Sequence, residues 1–250
     1  MRALRSRLCP AARRCAVIAG IPAAVLVVGL ASSASNARTK CGWLRPARSA
    51  VRGAAVGDVD GDRRPDRVSV VARYGASTGC RFALRVALGT GRVLVHPLAD
   101  PLVGGDPRDL RALPWPRLLA VVKIAPRGGG QPVVAVDQGA ASVSVAVFAV
   151  RGLRLLRLQG AEFSSAEDGT TAGAVDCWHG AASGTVVSTF AVATRRDWSV
   201  SRRRYRLVGD RFRLLRPSLP PFRVNRLPTL PEFRGGELAV FPSCTISRPR

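Results

Sequence analysis

The clearest shortage in this 250-residue sequence is lysine: only Lys40 and Lys123 occur, although lysine and arginine together number 39. Histidine occurs only at His96 and His179, and no two cysteines have C-x-x-C spacing. Both facts argue against a zinc site, which needs clustered Cys and His ligands. No stretch has the apolar periodicity of an amphipathic helix, so a helical core is not expected.

Acidic residues are also few, and the formal net charge is +23. The first 37 residues hold five arginines and no acid, which leaves +18 on the remainder. A charge of this size favours polyanionic partners. Two interpretations stay open: a solvated arginine-rich surface without a dedicated site, or binding to an anionic cell-wall polymer or membrane surface. Nucleic acid is not expected, because the arginines lack interleaved aromatic residues for base stacking.

The N-terminus has the organisation of an export signal. Five arginines in residues 1–15 are followed by an uncharged, mostly aliphatic run at 16–30 and by small residues at 35–37. As a helix this run would span about 22 Å, less than the hydrocarbon core of about 30 Å. We predict a signal peptide at 1–37 and a secreted or extracytoplasmic domain at 38–250. The alternative is an uncleaved segment that anchors the same domain to the membrane.

Cysteine usage agrees with export. Removing residues 1–37 leaves an even set of four: Cys41, Cys80, Cys177 and Cys244. In an exported chain an even set predicts two disulfides. Three pairings are possible, and Cys41 with Cys80 and Cys177 with Cys244 is favoured because each bond would close one local region.

The rest of the chain consists of short apolar or alternating runs separated by Gly, Pro, Asp and Asn, which predicts an all-β fold. The predicted strands cover residues 67–72, 82–88, 92–96, 118–124, 132–136, 142–150, 153–158, 184–193, 199–208 and 211–215. Residues 162–173 are predicted to be an exposed loop, 216–231 an extended surface segment, and 237–241 a last strand.

Three stretches of this pattern resemble one another: 68–97, 133–158 and 186–215. Each has an apolar strand, a polar turn, a second strand and a hairpin marked by glycine. We therefore predict antiparallel, repeated hairpin units in a propeller-like or partial propeller arrangement.

The most specific motif is an aspartate loop. Carboxylates occur at relative positions 1, 3, 5 and 9, as Asp58, Asp60, Asp62 and Asp66. Two carboxylates about 4 Å apart repel by about 1 kcal/mol in water and by about 4 kcal/mol near a protein surface. Calcium relieves this repulsion, because it accepts six to eight oxygen ligands in flexible geometry. The predicted shell is the four side chains, the Arg64 carbonyl and water, in a structural role.

An alternative is an acidic turn that Arg63, Arg64 and Arg67 neutralise without metal. The loop is not an EF-hand, which requires glycine at position 6 and glutamate at position 12, where this chain has Arg63 and Ser69.

Residues 57–66, Gly-Asp-Val-Asp-Gly-Asp-Arg-Arg-Pro-Asp, run directly into the predicted strand at 67–72. This pattern resembles the calcium loop of FG-GAP or VCBS-type repeats, the β-propeller units of integrin alpha chains and of many secreted bacterial proteins. The resemblance covers residues 56–72 and, loosely, the three hairpin units. It implies a calcium-stiffened β-propeller repeat in a diverged or truncated form, because the chain is too short for a full propeller of that family.

A cationic hairpin is predicted at residues 201–216. Tyr205 and Leu207 fall on one face of its first strand and Arg204 and Arg206 on the other, because side chains alternate along a strand. In the second strand, Arg211 and Arg213 flank Phe212. The candidate anion-binding residues are Arg204, Arg206, Arg211 and Arg213.

Signals for catalysis are weak. No G-x-S-x-G elbow is present, and no catalytic residue is predicted. Asp176-Cys177-Trp178-His179 is the densest polar cluster outside the aspartate loop, and it fits a disulfide-bearing turn better than an acid–base pair. The main hypothesis is a non-enzymatic, secreted or cell-surface β-repeat protein with a structural calcium loop, interacting with anionic envelope components. The alternative is an exported hydrolase of unknown substrate, and no protein partner is indicated.

Overall fold

Antiparallel β-strands account for the core of the molecule. The computed structural model describes residues 41, 50–73, 76, 79–100, 116–138, 142–234 and 240–249. The strands are β1 (Ala50–Gly57), β2 (Asp66–Ala72), β3 (Phe82–Ala87), β4 (Val93–Leu98), β5 (Arg117–Val122), β6 (Gln131–Gln138), β7 (Ser142–Arg151), β8 (Arg154–Arg157), β9 (Phe163–Glu167), β10 (Thr171–Cys177), β11 (Thr185–Ala193), β12 (Trp198–Val208), β13 (Arg211–Leu214), β14 (Phe222–Val224) and β15 (Thr245–Ser247). Among these residues there is no α-helix, and two short 3-10 helices occupy Leu227–Thr229 and Pro231–Phe233. The all-β prediction is confirmed.

All ten predicted strands are present, with bounds that agree within two residues. Two other predictions are wrong. Residues 162–173 were expected to form an exposed loop, but they contain β9 and the start of β10, because β9 pairs with β7 and β10 pairs with both β9 and β11. Of the expected last strand, 237–239 lies outside the described residues. Val240 makes only an isolated bridge to Val175, and the strand is β15 instead.

The strands form two sheets. In the first, β1, β2, β3 and β4 pair in chain order. The second has the order β13-β12-β11-β10-β9-β7-β6-β5-β15, with β14 added to β12 and β8 added to β7. Strand β7 has three neighbours: one edge pairs with β6, and on the other edge its first half pairs with β9 and its second half with β8. All these pairings are antiparallel.

Within this topology, three groups of four strands follow one another: β1–β4, β5–β8 and β10–β13, each paired in chain order. The three similar stretches of the sequence are the last three strands of each group. A first apolar cluster combines Val68 and Leu84 of the first group with Val134 and Phe148 of the second. A second cluster combines the second and third groups. The described strands do not close into a propeller.

Both predicted disulfides are formed. Cys41 bonds to Cys80, just before β3, with Cα atoms 5.3 Å apart. Cys177, the last residue of β10, bonds to Cys244, just before β15, with Cα atoms 5.9 Å apart. The bonds close regions of 39 and 67 residues, as the preferred pairing predicts, and both agree with an extracytoplasmic protein.

The predicted signal segment at 1–37 lies outside the described residues. No helix in the part of the chain that the structure describes is long and apolar enough to cross a membrane.

Candidate functional sites

The aspartate loop connects β1 to β2 in a hairpin whose strand ends, Gly57 and Asp66, are paired. Two residues reverse the chain with positive φ values: Gly61 at 91° and Arg63 at 69°. Glycine adopts this conformation without strain, so Gly61 allows the chain to turn sharply here.

The carboxylates of the loop are held by backbone amides. Asp58 accepts hydrogen bonds from the N–H groups of Gly61, at 2.6 Å, and Arg63, at 3.0 Å. Asp60 accepts one from Asp62 N–H at 3.1 Å, and Asp62 accepts one from Arg64 N–H at 2.7 Å. These short-range bonds fix the loop in a curve that directs several carboxylates to one region.

Asp66 has a different role, because its side chain is fully buried. Its Oδ2 accepts a hydrogen bond from Val59 N–H at 2.7 Å, and its Oδ1 accepts one from Gly89 N–H at 2.8 Å. Gly89 lies in the β3–β4 turn, where a Cβ would approach the Arg64 Cβ to 2.9 Å. Asp66 therefore joins the loop to the neighbouring turn.

Three of the predicted ligands come together. One carboxylate oxygen each from Asp58, Asp60 and Asp66 lies within 4.8 Å of the others. Asp62 lies outside this group of three, and the Arg64 amide is bound to Asp62. Oxygens at this spacing can share one cation.

The electrostatics of the group favour a positive charge between these carboxylates. Burial raises the pKa of Asp60, and the carboxylates of Asp66, Asp62 and Asp58 add to the rise, against a hydrogen bond from the Asp62 amide. Arg63, Arg64 and Arg67 are exposed, and within the described residues none forms an ion pair with the loop. The arginines that could have neutralised the turn therefore do not do so at contact distance.

The β5–β6 connection, residues 123–130, packs directly on the aspartate loop. Gly130 N–H donates to the Asp58 carbonyl at 2.7 Å. A Cβ on Gly129 would lie 2.1 Å from the Val59 carbonyl carbon, and one on Gly130 would lie 2.7 Å from Val121 Cγ1. The run Gly128-Gly129-Gly130 is visible in the sequence, but its contact with the aspartate loop was not predicted.

The cationic hairpin has the predicted alternation. Tyr205 and Leu207 pack against the second apolar cluster. On the opposite face, Arg206 is paired with Arg213 across β12 and β13, and Arg211 lies opposite Val208.

The exposed arginines of this face are Arg206, Arg211 and Arg213, which we call the arginine face. Arg204 differs because it is half-buried, with its guanidinium carbon 5.7 Å from the centre of the Trp178 ring.

A cavity of about 330 Å³ lies beside β10, β11 and β12, and we call it the β10–β12 cavity. Its lining includes Trp178, Val187 and Pro231 as apolar walls and two acids, Asp176 and Glu232. Sequence reasoning noted Asp176 and His179, which also lines the cavity. Glu232 was not predicted as a site residue. No feature of the proline-rich sequence around it indicates that this acid folds back onto β11 and β12.

Asp176 is 1% exposed. Its Oδ1 accepts the N–H groups of Cys177, at 2.8 Å, and Ser243, at 2.9 Å, and its Oδ2 accepts the Ser243 hydroxyl. Burial raises the pKa of Asp176, the hydrogen bonds from Ser243 and Cys177 oppose the rise, and the charge of Glu232 adds to it. Asp176 therefore fixes the segment that follows Phe241.

Glu232 is 3% exposed and pairs with Arg202. Its Oε1 receives Arg202 Nε and Nη2, both at 2.7 Å, and the Thr189 hydroxyl at 2.7 Å. The Arg202 guanidinium also lies 4.8 Å from the centre of the Phe222 ring. This buried pair holds the second 3-10 helix against β11 and β12.

Comparisons with models of known protein families, with curated proteins and with solved structures found no match to this chain.

Proposed function

We propose that this chain is an exported, non-enzymatic β-repeat protein whose aspartate loop binds one calcium ion in a structural role. The observation that carries the proposal is the convergence of Asp58, Asp60 and Asp66 oxygens within 4.8 Å. Three carboxylates at this spacing repel one another unless a cation or a proton intervenes. Calcium suits the all-oxygen donor set, and Asp62, the Arg64 carbonyl and water are the candidates for the remaining ligands.

The structural role follows from the position of the loop. The ion would lie at the β1–β2 hairpin, and Asp66 already ties that hairpin to the β3–β4 turn through Gly89. Binding there would stiffen the edge where the first two groups of strands meet. Within the described residues, no histidine, cysteine or further acid joins the group of three carboxylates, so we propose stabilisation and not catalysis.

Thermal unfolding of the purified protein in calcium and in chelator tests the proposal. A ligand that binds only the folded state at about 100 times its Kd adds about 2.7 kcal/mol of stability. We expect calcium to raise Tm in the parent and not in Asp60→Asn. The control is Asp210→Asn in the exposed β12–β13 turn, which should keep the rise. An equal Tm in calcium and chelator for the parent would refute the calcium proposal.

For the partner, we propose an anionic cell-wall polymer bound by the arginine face. Support comes from the exposure of Arg206, Arg211 and Arg213 on one face and from the net charge of +18 on residues 38–250, which is +23 less the five arginines of residues 1–37. Within the described residues none of the three forms an ion pair, so their guanidiniums can bind phosphates or carboxylates.

Co-sedimentation with a purified teichoic-type polymer tests this partner. We expect binding that weakens with salt and is lost when all three arginines are changed to alanine. Binding only to anionic lipid vesicles would instead make the membrane surface the partner. Unchanged sedimentation of the triple variant would refute the arginine face as the site.

The repeat relationship is a further part of the proposal. We propose that β1–β4, β5–β8 and β10–β13 are blade-like units of a diverged FG-GAP or VCBS-type chain. Support comes from three consecutive four-strand groups, each joined to the next by a shared apolar cluster. The hydrogen-bonded continuity through β9 is the main departure from separate blades.

The alternative of an exported hydrolase would use the β10–β12 cavity, which brings acids from different segments together. Asp176 there already accepts three hydrogen bonds, and Glu232 is paired with Arg202. Both carboxylates are thus already engaged by groups of this chain, whereas a general acid or base must exchange a proton with a substrate. We therefore favour binding over hydrolysis.

A further inference from the structure

The β10–β12 cavity is lined by none of the residues of the aspartate loop or of the arginine face. Its volume of about 330 Å³ lies near the lower end of the range for small-molecule sites, about 300 to 1,000 Å³. A single ring with substituents is a ligand of suitable size for such a cavity.

The walls of the cavity are mainly apolar. Trp178 and Pro231 lie on two sides, and Val187, which is 2% exposed, lies on β11. The backbone of Trp178 is held in place, because its backbone N–H donates a hydrogen bond to the Thr185 carbonyl at 2.9 Å. A ligand here must therefore present C–H surface as well as polar groups.

The polar groups are few and their positions are fixed. All three hydrogen bonds to the Glu232 side chain converge on Oε1, and within the described residues Oε2 accepts none. Because this oxygen keeps some accessible surface and has no donor, it can accept a hydrogen bond from a ligand hydroxyl.

The charges in and around the cavity argue against an ionic ligand. The two carboxylates, Asp176 and Glu232, are matched by the guanidiniums of Arg202 and Arg204, both 5.7 Å from the Trp178 ring centre. The Nε and Nη2 atoms of Arg202 already bind Glu232, so that edge of the guanidinium is not available to bind an anionic ligand. A cation would be repelled by the same two arginines.

We propose that the β10–β12 cavity binds a neutral pyranose sugar, with ring C–H groups against Trp178, Val187 and Pro231 and a hydroxyl donating to Glu232 Oε2. A pyranose combines these features, since it is uncharged, carries several hydroxyls and has apolar ring faces. The site would make the protein a glycan binder, independently of the calcium loop.

Saturation-transfer NMR on the full-length protein with glucose, galactose, mannose and N-acetylglucosamine tests the proposal. We expect at least one of them to bind with a Kd of about 1 mM. The indole N–H of Trp178 should shift on titration, and that of Trp198, which packs in another apolar cluster, should not. This comparison within the parent protein locates the sugar without any substitution.

Two variants then test the residues. Trp178→Ala and Glu232→Gln should each weaken sugar binding about tenfold, which corresponds to about 1.4 kcal/mol. Arg206→Ala, on the arginine face, should bind sugar as the parent does, so failure of the polyanion proposal would not affect this result. A folded variant with parental affinity, a sugar that shifts Trp198 and not Trp178, or binding of none of the four sugars would overturn the proposal. Tight binding of glucuronate or glucosamine alone would overturn the neutral-ligand argument.

Discussion

The β1–β2, β5–β6 and β10–β11 connections occupy the same place in the three groups of strands, yet their chemistry differs. The first, at 58–65, carries aspartates; the second, at 123–130, carries three glycines; the third, at 178–184, follows a disulfide. The loops are in contact in succession: Gly130 N–H binds the Asp58 carbonyl, and Gly184 N–H binds the Ile124 carbonyl. Connections at the same place in the three groups thus carry a group of carboxylates in the first, a packed glycine run in the second and an adjoining disulfide in the third.

The first two loops depend on each other. The aspartates of the first loop are held in a curve by amides of the same loop, and the second loop, which has no side chain at residues 128–130, packs within hydrogen-bonding distance of that backbone. The run of three glycines in the second loop therefore has a structural role. It provides the surface on which the acidic loop is supported.

We expect the largest loss of stability from removing the disulfide that adjoins the third loop. Replacing both Cys177 and Cys244 by alanine should lower the free energy of unfolding by about 4 kcal/mol, because this bond closes a long segment of the chain. The two residues are 67 apart, against 39 for Cys41 and Cys80. Urea unfolding of both double variants measures the difference. A greater loss from the Cys41 and Cys80 pair would contradict this ranking.

The second loop should tolerate no side chain at its contact point. Gly129→Ala should lower the free energy of unfolding by about 3 kcal/mol, because its Cβ would overlap the Val59 carbonyl. The control is Gly173→Ala in β10, where the nearest atom is 3.6 Å away and a change below about 0.5 kcal/mol is expected. Equal losses in urea unfolding would mean that the second loop does not support the first.

In the first loop, replacing a buried aspartate should lower the free energy of unfolding more than replacing an exposed one. Asp66→Asn should cost about 2 kcal/mol even in chelator, since one of the two amides bound by Asp66 would then face an N–H donor. Asp62→Asn, at an exposed position with one hydrogen bond, should cost less than about 1 kcal/mol. Denaturation in chelator separates this structural role from metal binding. Similar losses would show that burial of Asp66 is unimportant.

The smallest effect is a pH dependence beside the third loop. Because the folded-state pKa of Asp176 is raised, its contribution to stability is present below its unfolded pKa and is lost as pH rises through the folded pKa. Asp176→Asn should remove this decline, because an amide does not ionise. The amide can also keep the hydrogen bonds with the Cys177 N–H, the Ser243 N–H and the Ser243 hydroxyl, so the fold should be retained. Urea unfolding between acid and neutral pH compares the two proteins. Parallel pH profiles would refute the assignment to Asp176.

The sequence was most informative where apolar alternation is strong. Strands such as β2, β3 and β7 consist of Val, Leu, Phe and Ala with turn residues at their ends, so their positions could be predicted. Strands β9 and β10 could not, because Ser, Ala, Gly and Thr form a strand there only when neighbouring strands cover them. The disulfide pairs were predictable because each pairing closes one local region.

The candidate sites were predictable to different degrees. The aspartate spacing indicated the acidic loop, but the burial of Asp66 depends on Gly89 in a turn more than twenty residues away. The pairing of Glu232 with Arg202 spans 30 residues and has no local signal. Contacts of this kind arise from packing between segments, which periodicity along one strand cannot indicate.

The most direct test of the central claim is calorimetric titration of calcium into the purified, chelator-treated protein and into Asp60→Asn. We predict one site in the parent, with a Kd in the range of about 0.1 to 1 mM typical of extracellular modules, and no measurable binding in the variant. Binding of equal strength in both proteins, or no heat of binding in the parent at millimolar calcium, would contradict it.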